Sequence, residues 1–252
     1  MCGIFGIISF EEKLNVKPII QAVDTFAHRG PDDEGYCIII DNQLTACKNN
    51  NTVKELTYLP HIQDIEKSHF IFAHKILSII DLSPAGHQPF IDKQNELCLI
   101  YNVEIYNFIE LRKELENHGY NFKTKTDTEV LLYSLLHWGY DAFNKFNGIW
   151  AFALWNNTTK QLLLCRDRCG VKQLYYTITS KYIAFASEIK ALKKLPYITL
   201  NPNINVIKQY IKSSKQSYNE ETFYENIYKI VPAHYLTFDY STKNIKINKF
   251  WN

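Results

Sequence analysis

A cysteine stands at position 2 of this 252-residue chain, directly after Met1, and that place gives it a specific chemistry. Cysteine is small enough for the initiator methionine to be removed, which would leave Cys2 with a free α-amine. Such an amine has a pKa of about 7.7–8.0 and can take the proton from the thiol of its own residue. The position is the one that an N-terminal nucleophile requires, but a cysteine after Met1 is also common by chance, so the position alone leaves both interpretations open.

Arginine is rare in the chain, so its positions are the next candidates for a specific role. Of the 28 Lys and Arg residues, only Arg29, Arg112, Arg166 and Arg168 are arginine. The planar guanidinium makes paired hydrogen bonds that the lysine ammonium cannot make. We expect Arg166 and Arg168 to brace loops through ion pairs.

The other five cysteines carry no sign of a metal site. Cys165 and Cys169 are four residues apart, but no second Cys or His pair follows at the spacing of a zinc site. We therefore expect no metal. The five are predicted to be buried free thiols that pack like small apolar residues: Cys37, Cys47, Cys98, Cys165 and Cys169.

The apolar pattern predicts the elements that must position Cys2. A strand over residues 4–10 directly follows the nucleophile, and residues 42–68 are interpreted as loop or edge structure. Further strands are predicted at 36–40, 70–80 with a break at His74–Lys75, 97–101, 150–155, 162–166, 174–178, 183–187 and in a hairpin over 235–251. Helices are predicted at 19–27, 106–118, 127–140 and 204–211. Many antiparallel strands with a few helices indicate an α+β layered domain.

Composition and charge narrow the classes of function. The chain is 46% hydrophobic and 21% charged, as in a soluble globular protein, and its net charge of +2 excludes a strongly basic nucleic-acid binder. No apolar run approaches the ~18 residues of a membrane span, and the start lacks the features of a secretory signal. We expect a cytoplasmic protein with neither a nucleic-acid nor a membrane partner.

Ordered sequence blocks resemble a known family over roughly residues 1–195, with a weaker match over 232–251. The opening block, MCGIFG at residues 1–6, resembles the start of class II glutamine amidotransferases. The later blocks resemble the asparagine synthetase branch of that family: HRGPDDEG at 28–35, SIIDL at 78–82, GHQP at 86–89, YNVEIYN at 101–107, TDTEV at 126–130, AFALW at 151–155 and SEIKAL at 187–192.

The resemblance implies a four-layer αββα sandwich of the N-terminal-nucleophile hydrolase type, formed by one glutaminase domain over residues 2–252. It implies that glutamine is hydrolysed and that the ammonia passes to an ATP-dependent synthetase domain or subunit of asparagine biosynthesis. The Ser-Gly-Gly-x-Asp pyrophosphate loop of that synthetase is absent from this sequence. We therefore expect no cofactor in this domain, and ATP and Mg²⁺ in the synthetase partner. The sequence leaves a homodimer open and does not identify the acceptor.

Catalytic roles follow from the resemblance position by position. Cys2 would attack the side-chain amide of glutamine, with its α-amine as base and then as acid toward the leaving ammonia. The side chain of Asn102 and the N–H of Val103 would form the oxyanion hole. Arg29 would order the loop near the nucleophile, and Asp127 would pair with the α-ammonium group of glutamine. The full set assigned to substrate binding is Arg29, Ile76, Ile80, Asn102, Val103, Glu104 and Asp127.

The chain departs from the family pattern at three positions. Ile76 stands where the family has the arginine that holds the glutamine carboxylate, a contact whose loss costs roughly 1.5–3 kcal/mol, or about 10- to 150-fold in binding. Neighbouring Lys75 is no simple replacement, because adjacent strand residues face opposite sides. Val103 replaces a glycine, at a cost of about 1–3 kcal/mol if φ is positive there. Ala233 replaces the glycine after Pro232, a milder change outside the site.

Two functions therefore stay open. The first is the glutaminase part of an asparagine-synthetase-like amidotransferase. The alternative is a degenerate or re-specified domain that binds a synthetase partner without hydrolysing glutamine. The missing arginine at Ile76 favours the alternative, whereas the retained Cys2, Gly3 and Asn102 favour catalysis.

Overall fold

The computed structural model describes residues 1–77, 86–214 and 219–252. Its helices are α1 (Val16–Asp24), α2 (Phe108–Asn117), α3 (Asp127–Trp138), α4 (Ala142–Lys145), α5 (Ile189–Lys194) and α6 (Ile204–Ser213). Its strands are β1 (Gly3–Ser9), β2 (Leu14–Asn15), β3 (Asp33–Ile40), β4 (Gln43–Cys47), β5 (Lys67–Ser68), β6 (Phe70–Ile76), β7 (Phe90–Asp92), β8 (Leu97–Ile105), β9 (Gly148–Asn156), β10 (Gln161–Arg166), β11 (Tyr175–Ile178), β12 (Tyr182–Ala186), β13 (Tyr228–Lys229), β14 (His234–Asp239) and β15 (Asn244–Lys249). None of the described helices is both long and apolar enough to cross a membrane.

Two antiparallel sheets form the centre of the molecule. Among the described residues, the first sheet has the strand order β13-β11-β12-β1-β6-β3-β4, and the second has the order β15-β14-β10-β9-β8-β7. Strand β1 lies in the middle of the first sheet, paired with β12 on one edge and with β6 on the other. Strand β8 pairs along its whole length with β9, whereas β7 covers only the beginning of its other edge. Among the described residues, the far end of β8 therefore has no second neighbouring strand and is an open edge.

Alternating side chains place one apolar core between the sheets and one on each outer side. Phe5 and Ile7 of β1 face α1 and α5, while Ile4 and Ile8 face the second sheet. The outer face of the second sheet packs against α2, α3 and α4. The order of layers in the described chain is helix, sheet, sheet, helix, which confirms the predicted αββα sandwich.

Most predicted elements are present, but several boundaries differ. Helix α1 lies three residues earlier than predicted, and β8 continues four residues further, through the YNVEI stretch. The predicted break at His74–Lys75 is wrong, because both residues lie inside β6 with their side chains buried. Residues 78–80 of that predicted strand lie outside the described residues. Within 42–68, β4 forms the edge of the first sheet, as the edge interpretation allowed.

Of the three positions that depart from the family pattern, Ala233 is the one with a strained backbone. Ala233 has a φ of 62°, in the left-handed region that glycine adopts freely. Its N–H donates to Asp167 O at 2.9 Å and its carbonyl accepts from Phe250 N–H at 2.9 Å, so the conformation is fixed from both sides. The expectation that this change is mild is therefore wrong for the backbone, since a left-handed alanine costs about 1–2 kcal/mol.

We predict that Ala233→Gly stabilises the protein. The relief of strain exceeds the cost of glycine's extra freedom in the unfolded chain, which leaves a gain of about 0.5–1 kcal/mol. The matched control is Ala46→Gly in β4, which should lose about 0.5–1 kcal/mol. Urea unfolding measures both, and a destabilised Ala233→Gly variant would contradict the prediction.

Candidate functional site

The start of β1 places Cys2 beside the end of β6. The pairing of Gly3 with Lys75 and of Ile4 with His74 aligns the two strands up to this point. Just beyond β6, the N–H of Leu77 donates to the Cys2 Sγ at 3.4 Å, and the thiol lies 3.6 Å from the carbonyl of the same residue. The backbone of Leu77 therefore holds the sulfur at the mouth of a cleft.

A second set of contacts fixes the backbone of the nucleophile. Arg29 donates from Nε to the carbonyl of Cys2 at 2.8 Å and from its guanidinium to Glu188 Oε1 at 3.1 Å. Ser187 Oγ accepts the N–H of Ile4 at 3.0 Å. Arg29 thus contacts the backbone of Cys2, but it is not among the described residues that line the cleft. Its assignment to substrate binding stays a prediction.

The cleft at Cys2 brings together most residues of the predicted site. Its described lining is Met1, Cys2, Ile76, Leu77, Gly86, Gln88, Tyr101, Asn102, Val103, Glu104, Thr126, Asp127 and Lys172. Six of the predicted site residues are in this set. Of the other two, Arg29 lies behind the nucleophile, and Ile80 lies outside the described residues.

Two N–H donors at the open edge of β8 are available to a ligand. The side-chain amide nitrogen of Asn102 is buried and has no hydrogen-bond partner among the described residues. Alternate residues of a strand point their N–H groups to the same edge. The N–H groups of Tyr101 and Ile105 donate to Gln88 Oε1 and Asp127 Oδ2, on the edge away from β9. The N–H of Val103, between them, therefore points to that same open edge.

Valine at position 103 fits the backbone without strain. Val103 lies within β8, paired with Trp150 of β9, and it is not among the residues with positive φ. The cost that a positive φ would impose therefore does not arise. What the valine changes is the shape of the cleft wall.

Asp127 is buried and is held by neutral donors. Tyr101 Oη donates to Asp127 Oδ1 at 2.5 Å, and the N–H of Ile105 lies 3.3 Å from Oδ2. Burial raises the pKa of the Asp127 carboxyl, and these two hydrogen bonds oppose the shift only in part. Tyr101 is itself anchored, because His74 donates to its carbonyl at 2.7 Å. A cationic group bound in the cleft would offset the energetic cost of burying the ionised Asp127 carboxylate.

The side chain of Lys75 points away from the cleft, as strand alternation predicts. Its ammonium contacts Glu34 and lies 3.0 Å from Asp24 Oδ1. Ile76, the next residue, turns its buried apolar side chain into the cleft. Lys75 therefore does not take the place of the arginine that the family pattern has at position 76.

Lys172 is a lining residue to which sequence reasoning gave no role. Its N–H donates to Asp167 Oδ2 at 2.9 Å, and its carbonyl accepts from Arg166 Nε at 2.9 Å. Its ammonium lies 3.3 Å from Glu104 Oε1. Only the tertiary structure brings this side chain to the cleft of Cys2.

The loop arginines act as braces, although through other partners than predicted. Arg166 donates to the carbonyls of Gly170, Lys172 and Ile230 at 2.6–2.9 Å, and Arg168 donates to the carbonyl of Asn144 at 2.9 Å. The expected ion pairs are replaced by backbone carbonyl oxygens. The Arg166 brace shapes the loop that carries Lys172.

The Cys2 thiol needs help to ionise. Burial raises the pKa of the thiol, and the hydrogen bond from Leu77, the chain's amino group and the charges of Lys172 and Arg29 oppose that shift. Because the thiolate is scarce near neutral pH, attack by Cys2 requires a base close to Sγ. The α-amine that removal of Met1 would expose is such a base.

The other cysteines differ from the prediction at one position. Cys37, Cys47, Cys98 and Cys165 are buried free thiols, as predicted. Cys169 is exposed, because the β10–β11 loop that carries it lies at the surface. The prediction that all five are buried is therefore wrong for Cys169.

Comparisons with known proteins agree with this geometry. The family model described as "Glutamine amidotransferase domain" matches residues 62–251. Asparagine synthetase (glutamine-hydrolyzing) 3 of Bacillus subtilis is 33% identical over 100% of this chain and 37% of its own length, and amidase chry2 of Gibberella zeae is 30% identical over 94% of this chain and 32% of its own length. A solved structure of glutamine phosphoribosylpyrophosphate amidotransferase from B. subtilis has a TM-score of 0.71 at 20% identity, over 99% of this chain and 49% of that chain, which shows a shared fold. The chain spans less than half of the length of the first curated relatives it matches.

We predict that alkylation of Cys2 keeps accelerating with pH in the form of the chain that retains Met1. Since burial holds the pKa of the thiol above its ordinary value, the thiolate fraction keeps rising from pH 7 through pH 9. Peptide mass spectrometry after timed exposure to iodoacetamide measures the rate, with exposed Cys169 as the internal reference and the four buried cysteines unmodified. A Cys2 rate that levels off below pH 8 would contradict the prediction.

Proposed function

This chain belongs to the glutamine amidotransferase domain family, and we propose that it hydrolyses a side-chain carboxamide of the glutamine type with Cys2 as the nucleophile. One observation carries the proposal. The Cys2 sulfur and the unpartnered amide nitrogen of Asn102 line the same cleft, so a nucleophile and a free oxyanion donor face one volume.

The first half of the reaction forms a thioester. The α-amine of Cys2, free once Met1 is removed, takes the thiol proton, and Sγ attacks the carboxamide carbon. The amide nitrogen of Asn102 and the N–H of Val103 donate to the developing oxyanion. The C–N bond then breaks, and the leaving nitrogen takes the proton from the α-ammonium, so that ammonia departs.

The second half restores the enzyme. Water attacks the thioester carbon while the α-amine takes its proton, and the same two donors stabilise the second oxyanion. The C–S bond breaks and the sulfur recovers its proton. The sum is carboxamide plus water giving carboxylate plus ammonium, with Cys2 unchanged.

We further propose that the ammonia serves an ATP-dependent synthetase domain or subunit. The relatives named as glutamine-hydrolysing asparagine synthetases are more than twice as long as the part that aligns with this chain, which supports such a partner. ATP and Mg²⁺ would bind to that partner, outside the residues described above. The reaction that uses this ammonia would be asparagine formation in the cytoplasm.

A binding domain without hydrolysis is the second candidate. The apolar Ile76 at the cleft favours it, because an amino-acid carboxylate meets no free cation at that position. A measurement of ammonia release distinguishes the two candidate functions, because only the hydrolase releases ammonia.

We predict that the purified, Met1-processed chain releases ammonia from millimolar L-glutamine and that Cys2→Ala abolishes the release. A residue added before Cys2 should abolish ammonia release equally, because the α-amine of Cys2 is then part of a peptide bond and cannot act as the base. A tag at the C-terminus is the control for the extension. Coupled glutamate dehydrogenase detects the ammonia, and intact mass verifies processing. Release that survives Cys2→Ala would refute the nucleophile, and none from the processed chain would favour the binding domain.

We predict that Asn102→Leu lowers kcat about 10²- to 10³-fold without loss of stability. The amide nitrogen of Asn102 is buried and has no hydrogen-bond partner among the described residues, so the substitution removes no hydrogen bond that this nitrogen donates there. Asn157→Leu is the matched control, because that buried amide donates to Asn42 O at 2.7 Å, far from the cleft. The control should lose about 1–3 kcal/mol of stability and keep kcat. The opposite pattern would show Asn102 to be structural.

A further inference from the structure

The cleft carries one carboxylate that has no cationic partner. Asp127 is 1% exposed, lines the cleft and accepts hydrogen bonds from the Tyr101 hydroxyl and the Ile105 N–H. Both donors are neutral, and no described cationic side chain forms an ion pair with this carboxylate. The position is therefore complementary to a positive group on a ligand.

The described cationic side chains near the cleft already have anionic partners. The ammonium of Lys172, the only Lys or Arg among the described lining residues, lies 3.3 Å from Glu104. The Arg29 guanidinium lies 3.1 Å from Glu188, and Lys75 contacts Glu34 on the other face of β6. The sequence of residues 78–85 contains no Lys, Arg or His. None of these side chains therefore provides a positive charge that is free to pair with a ligand carboxylate.

The wall beside Cys2 is apolar where a carboxylate would need a donor. Ile76 is buried and lines the cleft together with Leu77. A carboxylate brought here would be desolvated next to hydrocarbon and close to the acidic side chains of Asp127 and Glu104. A neutral amide in its place would not carry that electrostatic cost.

We propose that the substrate of this site carries an ammonium group but no free carboxylate beside it, as in the N-terminal glutamine residue of a peptide. The inference rests on the proposed function, since Cys2 acts on the side-chain carboxamide of that glutamine. Asp127 binds the α-ammonium, and the peptide bond replaces the α-carboxylate at the apolar wall. The cleft opens to solvent at Met1, whose side chain is 57% exposed, so the rest of the peptide has a way out.

The test compares three probes on the Met1-processed chain. L-Glutamine has both charges, L-glutaminyl-glycinamide has only the ammonium, and 4-carbamoylbutanoate has only the carboxylate. Mass spectrometry of the products shows that the side-chain amide is the bond cleaved. We expect kcat/KM for glutaminyl-glycinamide to exceed that for glutamine by at least about tenfold, and 4-carbamoylbutanoate to be the poorest substrate.

Variants assign the preference to named side chains. Ile76→Arg should raise kcat/KM for glutamine relative to glutaminyl-glycinamide by about tenfold or more, whereas Ile76→Leu should keep the wild-type ratio. Asp127→Asn should remove the advantage that the ammonium gives. Lys172→Met should leave the ratio of the two substrates unchanged, because Lys172 is engaged with Glu104 in the free protein.

Each result has one meaning. A wild-type preference for glutamine, or equal rates, overturns the inference while Cys2-dependent hydrolysis stands. A selective loss of glutamine turnover in Lys172→Met also overturns it, because Lys172 would then hold the carboxylate. No cleavage of any probe by a chain of verified mass refutes the proposed function itself, and the inference with it.

Discussion

The hydrogen-bonded pairing of β1 on both of its edges fixes where the Cys2 side chain can be. With β12 on one side and β6 on the other, the first residue before β1 cannot shift along the sheet without breaking two ladders. The pairing with β6 places the sulfur between the N–H and the carbonyl of Leu77. Arg29 then holds the Cys2 carbonyl from behind. The position of the nucleophile thus derives from the sheet rather than from its own loop.

The second sheet supplies the other half of the cleft because β8 is longer than its neighbour β7. Beyond the last pair with β7, the N–H groups on that edge turn to other partners. Gln88 and Asp127 accept two of them, and the N–H of Val103 faces the cleft between. The same strand carries Asn102, whose buried amide nitrogen is left unpartnered. Among the described residues these two donors lack a protein partner, which is costly in a folded chain, and both would donate to the oxyanion of the proposed hydrolysis.

Most of the described charged side chains around this site are already paired with one another. Lys75 with Glu34, Lys172 with Glu104, and Arg29 with Glu188 are close ion pairs. Among the described residues that line the cleft, only Asp127 is a carboxylate held by neutral donors alone. Only the Lys75–Glu34 pair is fully buried, and removing one partner of such a pair costs about 3–5 kcal/mol; Glu104 and Glu188 are partly exposed, so the other two pairs are weaker. The choice of substrate therefore depends on how the protein has already paired its own charges.

The sequence by itself determined the features that depend on order along the chain. Cys2 after Met1, the family blocks and the start of α3 at Asp127 could be predicted from local pattern and position. The αββα layers were implied by the family resemblance, because the pattern alone indicated only an α+β layered domain. Only the tertiary structure decided which side chains meet. Lys172 reaches the cleft of Cys2 from the β10–β11 loop, Lys75 pairs with Glu34, and Ala233 rather than Val103 takes the left-handed backbone. These outcomes depend on partners distant in sequence, and no local pattern encodes the contact between residues brought together by sheet pairing.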